Sequence, residues 1–289
     1  MALKELIKAT ALSLWSTFRI VRDGSYKFTV DCQTEDVEKL IVLGNGPSLK
    51  DNLDKDLELL QNSQTMAVNK FCLTDAYEQI QPQYYVIVDP LFMMDNVTGE
   101  YKKLQEEVFG RFEELTTWPM QLFIAGRGKG NARLKQLLEK RPNITIHYLS
   151  ITTVEGLPSW SHFFYKKGWG TPFVGNVIVS SLMTAINCGF KEIVLLGIDH
   201  TIHTTAFVNS ENLVCFRKQH YYDDAPVDVP LFADLEETIP LNMYQYLEMW
   251  TITFKAYHQI NEYALSRNIK IINATPVSNV DAFERKELS

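Results

Sequence analysis

The sequence lacks four features, each of which would have indicated a class of protein. Its 289 residues include only four cysteines, and no two of them have the spacing of a CxxC or zinc motif. No apolar run approaches the roughly 20 residues of a membrane-spanning helix, and no secretory signal peptide is recognisable. The net charge of −7 argues against a general nucleic-acid partner. We therefore expect a cytoplasmic protein with reduced thiols.

The chain instead contains short apolar runs that alternate with helical stretches. Strands are predicted at 39–43, 65–68, 84–88, 121–125, 144–149, 192–196 and 269–272, and helices at 53–61, 99–115, 131–140, 174–188 and 241–266. Because the strands are apolar almost throughout, both faces of their sheet should be covered. The pattern predicts an α/β fold, with a Rossmann-like, mostly parallel sheet and helices on both faces.

Two segments depart from this alternation. Residues 1–24 predict an amphipathic helix with one apolar face and several basic residues: Leu3, Ile7, Ala11, Leu14, Phe18 and Val21, with Lys4, Lys8, Arg19 and Arg22. This helix either packs on its own domain or on a second subunit of a homo-oligomer, or lies on the inner face of a membrane with anionic lipids. Within a single domain at 25–289, the irregular residues at about 200–240 predict an inserted lid.

The turn after the first predicted strand reads Gly44-Asn45-Gly46-Pro47-Ser48. Glycines let a ligand approach the backbone closely, and free amides at a helix start attract an anion. No Gly-Lys-Ser/Thr follows, so this is not a Walker loop, and the third glycine of a dinucleotide fingerprint is missing. These residues alone favour a phosphate contact and a plain turn equally.

Polar residues follow other predicted strands as well. Asn69 and Asp89 come after the second and third strands, Gly197, Asp199 and His200 come after the sixth, and Gly175 and Asn176 open a helix. Ligands of open α/β sheets bind beyond the carboxyl ends of the strands, so these turns should line one crevice. Each residue alone is equally compatible with a helix cap or a turn. Residues 126–131 and 160–170, interpreted as loops, are further candidates for phosphate or sugar contacts.

The predicted lid contains His220, followed by Tyr221 and Tyr222. Histidine suits proton transfer near neutral pH, and tyrosine hydroxyls can donate to phosphate oxygens. His200 and His203 are alternatives for the proton transfer.

A metal site is a separate hypothesis for the same region. Asp199, His200, His203, Asp223 and Asp224 fit no common zinc spacing, so no metal site is predicted. A Mg²⁺ held by one or two carboxylates and a substrate phosphate stays open.

Two stretches carry a family resemblance: GNGPSL at 44–49 and GNVIVSSLMTAINCGFKEIVLLGIDH at 175–200. Together with their surroundings, 39–89 and 175–222, they resemble the bacterial sialyltransferases of the Campylobacter type. They also resemble proteins related to the archaeal 6-hydroxymethylpterin pyrophosphokinase. This resemblance implies a variant GT-A-like fold that binds a CMP-linked sugar without a metal cofactor.

The resemblance also implies roles for individual residues. The nucleotide would contact Asn45, Gly46, Ser48 and Asn69, with Gly197 and Asp199 at its cytidine end. His220 would be the base, and Tyr221 and Tyr222 would stabilise the leaving phosphate. The sequence departs from the family pattern at Gly175-Asn176, which replace a Ser-Gly pair, and at Asp89, which replaces an asparagine.

The resulting expectation is an inverting glycosyltransferase of bacterial surface polysaccharide synthesis, with a nucleotide-sugar donor and a glycan or lipid-linked acceptor. One alternative is an ATP- and Mg²⁺-dependent pyrophosphokinase of a pterin-like alcohol, in which Asp89, Asp199 and Asp223 would hold the metal. The other is a non-catalytic nucleotide-binding protein.

Overall fold

The computed structural model of the chain describes residues 2–28, 30, 32, 38–218, 227–234 and 237–288. Its α-helices are α1 (Leu3–Arg22), α2 (Leu49–Gln61), α3 (Ala76–Ile80), α4 (Gly99–Leu115), α5 (Ala132–Lys140), α6 (Pro158–Lys167), α7 (Val177–Cys188) and α8 (Met243–Ser266). Its strands are β1 (Lys39–Leu43), β2 (Thr65–Val68), β3 (Tyr84–Ile87), β4 (Met120–Ala125), β5 (Ile144–Leu149), β6 (Glu192–Leu196), β7 (Phe207–Val208), β8 (Val214–Lys218), β9 (Val227–Pro230), β10 (Lys270–Asn273) and β11 (Glu284–Arg285).

The main sheet has the strand order β11-β10-β6-β1-β2-β3-β4-β5, and every neighbouring pair in it is parallel. From β1 the chain runs outward to β5, then returns to β6 on the other side of β1 and runs outward again to β10 and β11. The strand order therefore reverses between β1 and β6, where Leu43 pairs with Leu196. Such a reversal opens a crevice at the carboxyl ends of the two strands. The predicted α/β fold with a mostly parallel sheet is confirmed.

Both faces of the sheet are buried, which explains why its strands are apolar in continuous runs. Along β1, Leu40 and Val42 belong to a core that includes residues of α7 and α8. Ile41 and Leu43 point to the opposite face, into a core that includes residues of α2 and α4. Since successive side chains of a strand alternate between faces, a half-exposed sheet would instead have shown alternating polarity.

The segment predicted as a lid contains a small sheet of its own. Strands β7, β8 and β9 pair antiparallel, and Phe207 lies opposite Cys215. Arg217 on β8 forms an ion pair with Asp228 on β9, at 2.9 Å from Nε to Oδ1. Residues 219–226, which include His220, Tyr221 and Tyr222, lie outside the described residues.

The aromatic segment 160–170 is mostly a helix rather than the predicted loop. Pro158 occupies the first turn of α6, where no backbone amide is needed, and Gly168 ends the helix in the left-handed region at φ 70°. Phe164 and Tyr165 are buried against the core. The prediction failed because the helix is short and its sequence is dominated by aromatic residues, which do not favour helices intrinsically.

The expectation of four reduced thiols is wrong for one pair. Cys32 and Cys188 form a disulfide with Cα atoms 5.3 Å apart, although 156 positions separate them in the sequence. Val30 and Cys32 pack against the core cluster that contains Cys188, so the fold brings the two thiols together. Sequence spacing could not reveal this pair, because no local motif contains both residues. Cys72 and Cys215 are free and buried.

Helix α1 falls within the segment 1–24 for which an amphipathic helix is predicted. It lies against the rest of the chain through Ile20, which belongs to the core, and through the buried Ser13 and Ser16. Among the helices in the described ranges, none has the length and apolar character that crossing a membrane requires.

Candidate functional site

The turn after β1 and the turn after β6 are joined backbone to backbone. The Gly44 amide donates to the Leu196 carbonyl and the Gly46 amide donates to the Gly197 carbonyl, both at 2.8 Å. A Cβ on Gly44 would lie 2.9 Å from the carbonyl carbon of Gly197 and closer still to its oxygen. Gly197 itself has a φ of 65°, which favours glycine. Glycine is therefore required where the two turns touch.

Asp199 holds the start of α2 from the neighbouring turn. Its carboxylate accepts hydrogen bonds from the Ser48 hydroxyl at 2.8 Å and from the Ser48 amide at 3.2 Å. Burial raises the pKa of Asp199, and the hydrogen bonds from Ser48 oppose that shift. Ser48 is not among the residues that line the cavity of about 340 Å³ at this edge of the sheet. Its predicted phosphate contact therefore has a competitor within the protein, since Asp199 already occupies the groups that would bind the anion.

A cavity of about 340 Å³ lies at the carboxyl ends of β1 and β6. Eight of the predicted site residues line it: Gly44, Asn45, Gly46, Asn69, Asn176, Gly197, Asp199 and His200. Further lining residues come from the segment after β6, among them Ile202, Thr205 and Arg217. The reversal of strand order thus gathers into one cavity turns that are far apart in the sequence.

A second cavity, of about 450 Å³, adjoins the first. It is lined by two further predicted residues, Asp89 and Gly175, and by Arg127 from the 126–131 turn. Asn69, Asn176 and Val177 line both cavities. The Asp89 carboxylate also caps its own turn by accepting from the Leu91 amide at 3.0 Å.

Asn176 lies at the junction of the two cavities, and the oxygen end of its side-chain amide is hydrogen-bonded. Its Oδ1 accepts from the Ile178 amide at 2.9 Å, as the N-cap of α7, and from the Tyr257 hydroxyl at 3.0 Å. These donors fix which end of the amide is oxygen. Its Nδ2 is buried and has no hydrogen-bond partner among the residues that the structure describes. An unpaired buried donor is unfavourable in the free protein and is satisfied when a ligand supplies an acceptor.

Asn69 supplies the complementary unpaired group. Its Oδ1 is buried and, within the described part of the chain, has no donor. The backbone of Asn69 adopts a φ of 47°, a conformation that asparagine tolerates better than most residues. The Asn69 carbonyl accepts from the Tyr85 hydroxyl at 2.8 Å, which holds this turn in place. One donor and one acceptor are thus available where the two cavities meet.

His200 is tied to Asn176 through Tyr257. The His200 Nε2 and the Tyr257 hydroxyl are 2.5 Å apart, and the rings stack with centroids separated by 5.5 Å. Because the single hydroxyl proton of Tyr257 goes to Asn176, Nε2 of His200 must be the donor. Burial, and to a lesser extent His203, lowers the pKa of His200 to about 4. The ring is therefore neutral near pH 7, with its proton on Nε2.

We expect this buried ring to make the protein less stable in acid. The pKa of His200 is about 4 when folded and about 6.5 in the unfolded chain, so protons favour the unfolded chain below pH 6.5. As the pH falls from 6.5 to 4, His200 should lower the free energy of unfolding by about 2–3 kcal/mol. Urea unfolding of the wild type and of His200→Gln across this range measures the effect. Parallel pH profiles for the two proteins would contradict it.

Three of the sequence-predicted residues, His220, Tyr221 and Tyr222, cannot be placed in this geometry, because they lie outside the described residues. Within the described ranges, no group of three or more His, Cys, Asp or Glu side chains is arranged to hold a metal ion. Tyr257 and Arg217 are site residues that the sequence did not reveal. Tyr257 lies within the long helix α8, where no turn or motif distinguishes it. Arg217 lies on β8, in the part of the chain whose sequence shows no clear periodicity.

Comparison with known proteins gives little further guidance. No family model matches the chain, and no curated protein matches it. Among solved structures, a matching chain is described as the structure of MAf glycosyltransferase from Magnetospirillum magneticum AMB-1. The two are 15% identical with a TM-score of 0.49, and the match covers 99% of this chain and 39% of that chain. This chain thus spans well under half of that structure, and a likeness at this level does not assign a function.

Proposed function

We propose that the protein is a glycosyltransferase that takes a sugar from a nucleotide-activated, CMP-linked donor. The observation that carries this proposal is the pair of adjoining cavities with an unpaired donor and acceptor, Asn176 Nδ2 and Asn69 Oδ1, at their junction. A polyhydroxylated ligand offers both acceptors and donors, and so can satisfy both groups at once.

The dimensions of the two cavities also support a two-part ligand. At about 340 and 450 Å³, each falls in the usual range of ligand pockets. The first lies at the reversal of strand order, where α/β proteins bind nucleotides. The second adds Asp89 and Arg127, polar groups suited to a sugar or an acceptor. The preference for CMP rests on the resemblance of 39–89 and 175–222 to sialyltransferases.

The proposed reaction requires a base that takes the proton of the acceptor hydroxyl as the new glycosidic bond forms and the sugar–phosphate bond breaks. We assign this role to His220. His220 lies outside the described residues, so the assignment rests on the resemblance of 175–222 to sialyltransferases. His200 is less suited to the role, because its lowered pKa makes it a weak base and its Nε2 proton is committed to Tyr257.

The proposal is tested first by a thermal-shift screen with CMP, CDP, UDP, GDP and ATP, each with and without Mg²⁺. A ligand that binds only the folded protein raises its melting temperature, so CMP should do so without Mg²⁺. Stabilisation by ATP with Mg²⁺ alone would favour a pyrophosphokinase and contradict the proposal. In assays with CMP-sugar donors, His220→Ala should abolish transfer while CMP affinity is kept; full turnover in that variant would exclude His220 as the base.

Asn176→Asp is the sharper test of the site. The aspartate keeps an oxygen that caps α7 and accepts from Tyr257, but it replaces the unpaired Nδ2 donor by a second acceptor. We expect the affinity for CMP to fall at least about tenfold, which corresponds to about 1.4 kcal/mol.

Asn242→Asp is the matched control for Asn176→Asp. Asn242 is the N-cap of α8, so the same chemical change is made at a helix start, and Asn242 lines neither cavity. Calorimetric titration of CMP into the wild type and both variants measures the three affinities, and only Asn176→Asp should bind CMP more weakly. Equal affinities in the three proteins would exclude Asn176 from the nucleotide site.

A further inference from the structure

Helix α1 packs on the domain through its polar face, whereas an amphipathic surface helix usually packs through its apolar face. Its inward face is joined to the domain by small polar side chains: the Ser13 hydroxyl accepts from the Leu157 amide, and the Ser16 hydroxyl donates to the Glu155 carbonyl. The Thr17 hydroxyl accepts from the indole nitrogen of Trp160 at 3.0 Å. The helix thus docks through hydrogen bonds and one buried isoleucine, and its apolar stripe is left to face outward.

The outward face is a continuous apolar surface. Its members are 52–74% exposed and recur at helical spacing: Leu3, Ile7, Leu14, Trp15, Phe18 and Val21. The rings of Trp15 and Phe18 stack with centroids 5.3 Å apart. A helix of this length extends over about 30 Å, and a soluble monomer rarely exposes an apolar strip of that size without a partner.

Helix α6 extends the same surface. Trp160, which bonds to Thr17 of α1, and Phe163 are both exposed, and Lys166 and Lys167 lie in the last turn of α6. We call the exposed apolar and basic residues of the two helices the α1–α6 patch. Tryptophan beside lysine is characteristic of surfaces that sit at the boundary between lipid headgroups and acyl chains.

The charges around this surface differ in sign from the rest of the molecule. The whole chain has a net charge of −7, whereas α1 has four basic residues and one acidic residue, Glu5. Lys4, Lys8 and Arg22 are exposed, and the next acid along the chain, Asp23, is paired with Arg22 at 2.7 Å. A second copy of the chain would bring an equally basic patch against this one, which like-charge repulsion opposes. An anionic surface is complementary to it.

We propose that the α1–α6 patch binds the surface of a membrane that contains anionic lipids. Helix α1 lies in the plane of the interface, its apolar side chains enter the headgroup and acyl boundary, and its lysines pair with lipid phosphates. The binding does not depend on the proposed glycosyl transfer. It rests on which face of α1 is docked and which is exposed.

Flotation of the 289-residue chain with vesicles tests the proposal. We expect binding to vesicles of phosphatidylcholine with phosphatidylglycerol, and much weaker binding to phosphatidylcholine alone or at high salt, because the electrostatic part is screened. Trp15→Ser/Phe18→Ser should lower the binding constant at least about tenfold, since apolar area entering the interface drives insertion. Lys4→Glu/Lys8→Glu should also lower it about tenfold or more, at about 1 kcal/mol for each lysine.

The matched control is Leu247→Ser/Leu265→Ser, which removes two exposed apolar side chains from α8, outside the patch. It should bind vesicles like the wild type, and circular dichroism should show all variants folded. Absence of binding to the anionic vesicles, or equal binding by the Trp15→Ser/Phe18→Ser variant, would overturn the proposal. A wild-type dimer that Trp15→Ser/Phe18→Ser converts to a monomer, without vesicle binding, would overturn it in favour of a second copy.

Discussion

Replacing Gly44 by alanine should destabilise the protein and abolish ligand binding at the crevice. The added methyl group would meet the backbone carbonyl of Gly197, and backbone cannot rotate away as a side chain could. The turns after β1 and β6 must then separate, which breaks the hydrogen bonds between them. We expect the free energy of unfolding to fall by about 1–3 kcal/mol or more, as in overpacked cores. Denaturant unfolding measures this loss, and calorimetry with CMP measures binding.

Gly110→Ala gives the matched control with the opposite sign. Gly110 lies inside α4, and a Cβ built there meets no atom within 4 Å. Alanine favours a helix over glycine, so this variant should be more stable than the wild type by about 0.5–1 kcal/mol and should bind CMP normally. A Gly44→Ala protein with wild-type stability would show that the two turns do not touch as described.

Reduction of the disulfide between Cys32 and Cys188 should also lower the stability of the protein by a large amount. The bridge closes a loop whose ends are 156 positions apart, and constraining so long a loop in the unfolded chain stabilises the fold by about 2–5 kcal/mol. The free energy of unfolding should therefore be lower by this amount in the presence of reductant. The Cys32→Ala/Cys188→Ala variant should already have the lower value and should not respond to reductant.

Counting thiols checks the bridge independently of stability. After denaturation without reductant, only Cys72 and Cys215 should react, and reductant should add two thiols. In the native protein Cys72 should be inert, because burial raises the pKa of its thiol to about 12. Four reactive thiols in the denatured, unreduced protein would contradict the bridge. The bridge and the expected cytoplasmic location point in opposite directions, since disulfides persist mainly in oxidising compartments.

The strands and the residues at their ends could be predicted from the sequence because both are local signals. Continuous apolar runs identified β1 and β6, and the polar residues after them, such as Asn45 and Asp199, indicated the edge of the sheet where we expect a ligand. The rule that ligands lie at the carboxyl ends of strands then sufficed to group turns that the structure places around two cavities. The sequence did not reveal that β1 and β6 are neighbours, which is the fact that gives the site its position.

The remaining features depend on tertiary contacts. The Asp199 carboxylate that engages Ser48, the Tyr257 hydroxyl that engages Asn176, and the partnership of Cys32 with Cys188 each join residues from distant parts of the chain. The sequence around each of these residues does not indicate which distant residue it contacts. The sequence also left open which face of α1 docks, because hydrophobic periodicity identifies an apolar face without saying whether it is buried.

The pairing of β1 with β6 has a consequence for synthesis of the chain on the ribosome. At about 5–20 residues per second, the turn that follows β6 is translated roughly 8–30 s after the turn that follows β1. During that interval the edge of β1 that will receive β6 has no strand beside it, and unpaired edges invite association with other chains. Until residues near 196 have been synthesised and β6 pairs with β1, the nascent chain therefore has an unpaired strand edge next to its glycine turn, and this edge favours association with other chains.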